Sequence, residues 1–287
     1  MIIDIHTHAF PRNVRQARRR FFQDEPAFEL LYASPKARLA GASEIVTMMD
    51  AQGVDKSVIF GFPWRSAETF RRNNDYILEA VARHPDRLIG FCCLDPMHRD
   101  APAEVERCLQ AGLSGVGELA FYDSGMDERC LESLDPIMAL AKSYNRPVML
   151  HTNEPVGHVY PGKSPNTLAQ ISALVRRFNH NRIILAHWGG GLFFYALLKK
   201  QMRQELANVW YDTAASPYLY RPDIYRLALS IAGTDRILLG TDFPLLEPQR
   251  YFKEMDQAGL TAAQLKAVCG DNAARLLGLW PVGPLAG

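Results

Sequence analysis

Four stretches of the chain repeat one phrase: an acidic or amide residue, then Arg, then an apolar run that ends on a polar side chain. Asp86-Arg87 leads through Leu88-Ile89-Gly90-Phe91-Cys92-Cys93-Leu94 to Asp95, and Asn145-Arg146 through Pro147-Val148-Met149-Leu150 to His151. Asn181-Arg182 leads through Ile183-Ile184-Leu185-Ala186 to His187, and Asp235-Arg236 through Ile237-Leu238-Leu239-Gly240-Thr241 to Asp242. Short, continuous apolar runs bounded by turn formers fit strands buried on both faces, and such strands belong to parallel sheets. Residues 2–8, 57–62, 115–119 and 209–212 fit the same role, which makes eight candidate strands.

Helix-like segments separate them, at 42–52, 74–83, 103–111, 128–143 and 165–178. Near the end, Thr261-Ala262-Ala263-Gln264 reads as a capping box that opens a helix through Cys269. Alternating βα units call for a parallel barrel or an open doubly wound sheet. At 287 residues the chain suits one (β/α)₈ barrel, a fold that commonly uses about 250 residues as a single unit. No linker, low-complexity tract or charge run divides it, so residues 1–287 are expected to form one domain of the α/β class. The basic segment Arg15–Arg20 reads as a solvated face in the long loop after the first strand, and Trp280–Gly287, rich in Pro and Gly, as a fraying tail.

Composition narrows the partners. A net charge of +1 gives no global field to recruit nucleic acid or a membrane surface, which leaves small molecules as the default ligand. No apolar run approaches a membrane span, and Met1-Ile2-Ile3-Asp4 has no basic leader region. Five cysteines without framework spacing, none in a C-x-x-C pair, argue for reduced thiols in the cytoplasm and against thiolate metal binding. Assembly into a homo-oligomer stays open.

The polar residues that close the runs carry the chemistry. His6-Thr7-His8 ends the first strand, Glu118 the fourth, His151 the fifth, His187 the sixth and Asp242 the eighth. Side chains repeat every two residues along a strand, so His6 and His8 share a face. The C-terminal strand ends of a parallel barrel are where catalytic groups gather. Imidazole and carboxylate are ligands for Zn²⁺, Mn²⁺ or Fe²⁺. A lone strand-end histidine is more often a hydrogen-bonded core residue, and Glu118 or Asp242 alone could cap a helix. Five strand ends that carry only His, Glu or Asp, in a chain with eight histidines, outweigh that reading.

Asp4-Ile5-His6-Thr7-His8, Gly115-Val116-Gly117-Glu118, Leu150-His151, Ala186-His187-Trp188-Gly189-Gly190 and Gly240-Thr241-Asp242-Phe243-Pro244 resemble the motifs of the amidohydrolase superfamily. The likeness is to the amidohydrolase-related branch of metal-dependent hydrolases and non-oxidative decarboxylases. Gly270-Asp271-Asn272-Ala273-Ala274-Arg275-Leu276-Leu277 is similar to its closing helix. The resemblance implies a barrel with His6, His8, His151 and Asp242 around metal, and His187 as a second-site ligand or proton-transfer group. Two-metal members bridge their ions with a fourth-strand carboxylate, so Glu118 leans toward two metals and hydrolysis, or else binds substrate. One or two divalent ions are expected, zinc first, with manganese or iron as alternatives.

The first expectation is thus a hydrolase of a small amide, cyclic amide, ester or lactone, acting through metal-activated water. Asp242 would accept the proton of that water, and His187 would hold the second metal or steady the oxyanion. The alternatives are a single-metal decarboxylase of a small or aromatic acid, with His187 or Asp242 as proton donor, and, more remotely, a non-catalytic metal-binding barrel. No Gly-x-Ser-x-Gly elbow or Gly-x-Gly-x-x-Gly fingerprint supports a serine hydrolase or a dinucleotide enzyme. Loops after the strands should set specificity. His158, Tyr160 and Lys163 after the fifth strand, Arg65 after the second, and the aromatic pair Phe121-Tyr122 are the candidate substrate contacts, with Lys163 or Arg65 reading an anionic group.

Overall fold

The computed structural model describes residues 1–199 and 201–279, so the expected tail at 280–287 lies outside the described residues. Eight parallel strands pair in chain order. They are β1 (Ile3–His8), β2 (Lys56–Phe60), β3 (Leu88–Cys92), β4 (Gly115–Leu119), β5 (Val148–Leu150), β6 (Ile183–Leu185), β7 (Val209–Asp212) and β8 (Ile237–Leu238). The sheet closes where the chain runs on past β8. Ile5 N–H donates to Leu239 O at 2.8 Å, Asp242 N–H to His6 O at 2.9 Å, and His8 N–H to Phe243 O at 2.8 Å. Closure with helices between successive strands makes the fold a (β/α)₈ barrel.

Several strands stop short of their apolar runs. β5, β6 and β8 end before His151, His187 and Asp242, which therefore stand just beyond the ladder. His187 and Asp242 adopt left-handed φ values of 54° and 58°, a conformation that costs a non-glycine residue about 1–3 kcal/mol and clusters at functional sites. Glu118 lies inside β4, after Gly117 at φ 125°. A Cβ on Gly117 would run into the carbonyl of Met149, so only glycine lets β4 lie this close to β5 and brings Glu118 beside His151.

One buried cluster takes Val58, Phe60, Ile89, Phe91, Met149, Ile184 and Leu238 from β2, β3, β5, β6 and β8, and the larger one packs the helices onto the sheet. The helices Ala42–Gln52 and Glu128–Ser143 have their expected bounds, and the Thr261 capping box is present. That last helix then passes through a π-helical turn, Ala267–Asp271, into Asn272–Leu277. The helix expected at 74–83 instead spans Ala67–Arg83. Asn74, where that helix was expected to begin, is buried within it and bonds at long range: it accepts from Cys93 N–H and donates to Glu104, beside Asn73, which accepts from Trp64 Nε1. The segment Arg15–Arg20 is not merely a solvated face. Arg15 bonds Phe10 O and pairs with Glu44, and Arg18 bonds the carbonyls of Tyr32 and Ala37, which pins the long excursion after β1. All five cysteines are buried free thiols, and among the described residues no helix is long and apolar enough to cross a membrane.

Candidate metal centre

Six of the residues that close the runs converge at the C-terminal mouth of the barrel. Ligand atoms of His6, His8 and Glu118, of His6, His187 and Asp242, and of Glu118, His151 and His187 form three groups, each within 4.8 Å. The register shift in β1 between Asp4 and Thr7 does not separate its two histidines. Their rings lie 5.3 Å apart, and both pack edge-on to Phe60.

Each imidazole has one nitrogen committed to the protein. His8 Nδ1 donates to Gly61 O at 3.0 Å, His187 Nδ1 to Ala214 O at 3.0 Å, and His151 Nε2 to Gly162 O at 2.9 Å. His6 Nδ1 donates to Asp212 Oδ2 at 2.8 Å. Carbonyls and carboxylates only accept, so in each neutral ring the other nitrogen carries a lone pair. Those four nitrogens face two carboxylates. His6 Nε2 lies 3.6 Å from Glu118 Oε2 and 3.7 Å from Asp242 Oδ1, and His8 Nε2 lies 3.2 Å from Asp242 Oδ1. His151 Nδ1 and His187 Nε2 approach Glu118 Oε1 at 3.0 Å and 3.4 Å.

Lone pairs that face carboxylates repel unless a cation or protons intervene. His6 Nε2 is buried with no hydrogen-bond partner among the described residues, as a ligand atom waiting for a cation would be. Proton affinities carry the same message. Burial opposes a charge on His6, yet Glu118 and Asp212 raise its pKa well above the usual imidazole value. Burial also lowers the pKa of His187, but Glu118 overrides it and brings it to about 9. Glu118 and Asp242 are held below the usual carboxylate range, because the surrounding histidines outweigh the cost of burial. Nitrogen and oxygen donors without thiolate fit a divalent cation such as zinc, manganese or iron.

Asp212 escaped the sequence reading although it closes the β7 run by the same rule that picked out its neighbours. Fully buried, it accepts from His6 Nδ1 and from the backbone N–H groups of His187 (2.9 Å) and Ala214 (3.0 Å). It thereby fixes the tautomer of one candidate ligand and the position of another, a role carboxylates commonly play behind metal-bound histidine.

A cavity of about 500 Å³ opens above the cluster. His8, Glu118, His151, His187 and Asp242 line it, with walls that include Leu31, Tyr32, Phe62, Tyr122, Tyr218 and Leu245. His158 and Tyr160 also line it, as does Arg38, which the sequence did not single out. The other three expected contacts lie elsewhere, Phe121 among the residues of a neighbouring cleft. Lys163 spends its ammonium on Glu154 Oε1 (2.9 Å), Val156 O (2.6 Å) and His158 O (3.2 Å), and so ties its own loop. Arg65 pairs with Asp123 and lines the same cleft with Asp95 and Glu25. None of the three lines the cavity.

Fold and donor set together define a barrel enzyme with a divalent-metal site. The profile of the amidohydrolase family matches residues 3–279, and the chain belongs to that family. It is 25% identical over 288 residues to the gamma-resorcylate decarboxylase of Polaromonas sp. strain JS666, a match that covers 82% of this chain and 86% of the relative. It is 22% identical over 342 residues to the 2-amino-3-carboxymuconate-6-semialdehyde decarboxylase of Dictyostelium discoideum, covering 97% of this chain and 92% of that one. The crystal structure of a dihydroxybenzoic acid decarboxylase from Polaromonas sp. JS666, with bound manganese and 2-nitroresorcinol, superposes with a TM-score of 0.71 at 21% identity over 97% of each chain. These relatives bring decarboxylation forward from second place in the sequence reading, and one of them holds manganese where zinc was the first expectation.

Proposed function

We propose that the protein is a metal-dependent, non-oxidative decarboxylase of a small aromatic carboxylic acid. The observation that carries the reading is the cavity: aromatic and aliphatic walls above a floor of histidines and carboxylates. Such a site suits a flat apolar ring whose anionic end is directed to the floor. The curated relatives matched over most of the chain are decarboxylases, which supports the same reaction.

His6, His8, His151 and Asp242 would hold a divalent cation, which when bound would supply positive charge to anchor the anionic end of the substrate. The protein then has to deliver a proton to the ring carbon that bears the carboxylate. The C–C bond breaks, its electron pair returns to the ring, and CO₂ leaves, so one proton is consumed per CO₂ released. His187 suits this task by its position: Ala214 O holds its Nδ1, and its Nε2 reaches the cavity floor 3.4 Å from Glu118 Oε1, where it can hold and pass a proton. Asp242, held ionised by the neighbouring histidines, suits ligation better. The apolar walls exclude water, which favours release of neutral CO₂ from an anionic acid.

Hydrolysis is the second reading, and Glu118 is the observation that favours it. Its oxygens lie within 3.8 Å of nitrogens on His6, His8, His151 and His187, a position from which one carboxylate can bridge two ions. A panel of hydroxybenzoates, lactones and cyclic amides, offered to manganese- and zinc-loaded protein, separates the two. Decarboxylation predicts CO₂ from an aromatic acid and no turnover of the lactones and amides. Lactone or amide cleavage without CO₂ from any acid refutes it.

A further inference from the structure

The loop between β5 and the helix Leu168–Arg177 does two jobs at once. Its residues His158, Tyr160, Pro161 and Gly162 line the cavity, and the Gly162 carbonyl accepts from His151 Nε2 at 2.9 Å. That bond decides which nitrogen of His151 is left for a cation. With Nε2 committed as the donor, the lone pair of the neutral ring sits on Nδ1, the atom that faces Glu118 Oε1 at 3.0 Å. A carbonyl on a loop is a fixed partner only if the loop itself is held.

Asn153, only 1% exposed, spans the neck of that loop with its side-chain amide. Its Oδ1 accepts from Ser164 N–H at 2.9 Å and from Ser164 Oγ at 2.7 Å. Its Nδ2 donates to Ser164 O at 3.1 Å and to Glu154 O at 3.2 Å. Entry and exit of the loop thus share one amide whose donors and acceptor are all in use. Inside the neck, Glu154 accepts from Lys163 Nζ and from the Tyr160 hydroxyl, which braces the loop against its own exit. Beyond the neck, Asn166 Nδ2 donates to His151 O at 3.2 Å and to Ser164 Oγ at 2.7 Å, so the main chain of His151 is tied to the same exit. We propose that Asn153 is a positioning residue for the metal centre: by clamping Glu154 to Ser164 it keeps Gly162 O on His151 Nε2 and leaves Nδ1 free for the cation. This role rests on the metal centre alone and is the same for decarboxylation and for hydrolysis.

Asn153→Asp keeps the shape and the acceptor for Ser164, but it sets a carboxylate oxygen against two carbonyls and so prises the neck open. Ser164→Ala removes one of the four bonds and leaves the other three. Zinc affinity is measured by competition with a chelator. Spectra of the ¹⁵N-labelled, zinc-loaded proteins follow the ring N–H signals of His8, His151 and His187, each of which donates to a different carbonyl. Asn153→Asp should weaken zinc binding about tenfold and shift, or lose to exchange, the Nε2–H signal of His151 alone, whereas Ser164→Ala should stay within about threefold of wild type. Three ring signals that move together, as general loosening would move them, overturn the assignment. So does a wild-type His151 Nε2–H that exchanges as fast as free imidazole, a result that needs no variant to fold. Wild type that binds no zinc removes the metal centre and the clamp together. Zinc bound with unchanged affinity and an unmoved His151 in Asn153→Asp removes the clamp alone.

Discussion

Replacing Asp212 by Asn changes one atom and removes a charge, and the geometry around it dictates the consequence. The carboxylate uses Oδ1 for the N–H groups of His187 and Ala214 and Oδ2 for His6 Nδ1. An amide has one oxygen. If it stays on the backbone pair, its NH₂ meets the Nδ1–H of His6, donor against donor. His6 must then move its proton to Nε2, the atom that faces Glu118 and Asp242, and that nitrogen can no longer bind a cation. If the amide flips, the two backbone N–H groups lose their acceptor instead. Either way a buried charge-assisted hydrogen bond worth about 1.5–3 kcal/mol is lost. Expressed through His6, that loss weakens metal binding about 10–100-fold. Competition with a chelator of known affinity measures the change, and imidazole ¹⁵N spectra of the metal-free protein report the His6 tautomer. Metal affinity within twofold of wild type would refute the coupling between Asp212 and His6.

Three further outcomes rest on particular contacts. Lys163→Ala should loosen the loop that Lys163 ties and raise KM for charged and neutral substrates alike, because the ammonium already serves Glu154, Val156 and His158. A rise confined to charged substrates would return Lys163 to the binding site. Buried Glu104 bonds Arg107 and Asn74, whose pull on its pKa exceeds the opposing effect of burial and keeps it below the usual glutamate value. The stability it contributes is therefore present above about pH 4.3 and lost as pH falls through the folded-state value. Glu104→Ala should cost about 2 kcal/mol at pH 7, less than a fully buried pair because Arg107 is partly exposed, with a smaller deficit at pH 3 by denaturant titration; equal deficits at both pH values would contradict the assignment. Glu118→Gln should lower bound metal by about one equivalent if Glu118 bridges two ions, and leave a single equivalent in place if only one binds. Metal analysis of wild type beside the variant decides: two equivalents falling to one supports the bridge, and one equivalent in both refutes it.

Much of the barrel was legible because buried parallel strands leave a strong mark: unbroken apolar runs that close on a polar side chain. The same rule located His151, His187 and Asp242 at one mouth, since consecutive strand ends of a closed parallel sheet must meet there. Asp212 obeyed the rule at the end of Val209–Asp212 and was passed over. Lys163 and Arg65 were misplaced for a different reason. A long flexible cation finds whatever acceptor its loop offers, and pattern along the chain does not reveal that Glu154 or Asp123 will be that acceptor. Tyr32 was invisible as a cavity residue because it arrives from the excursion after β1, held there by bonds such as Arg18 to the carbonyls of Tyr32 and Ala37. Asn74 misled as a helix start because its partners, Cys93 and Glu104, lie far along the chain, the second in another helix.

Carboxyl-¹³C-labelled 2,6-dihydroxybenzoate, incubated with manganese-loaded and with metal-stripped protein, tests metal-dependent decarboxylation most directly. Membrane-inlet mass spectrometry should record about one ¹³CO₂, and chromatography one 1,3-dihydroxybenzene, per acid consumed by the loaded protein. The stripped protein should release neither until manganese is restored. Full turnover without metal, or consumption of the acid without ¹³CO₂, would contradict it.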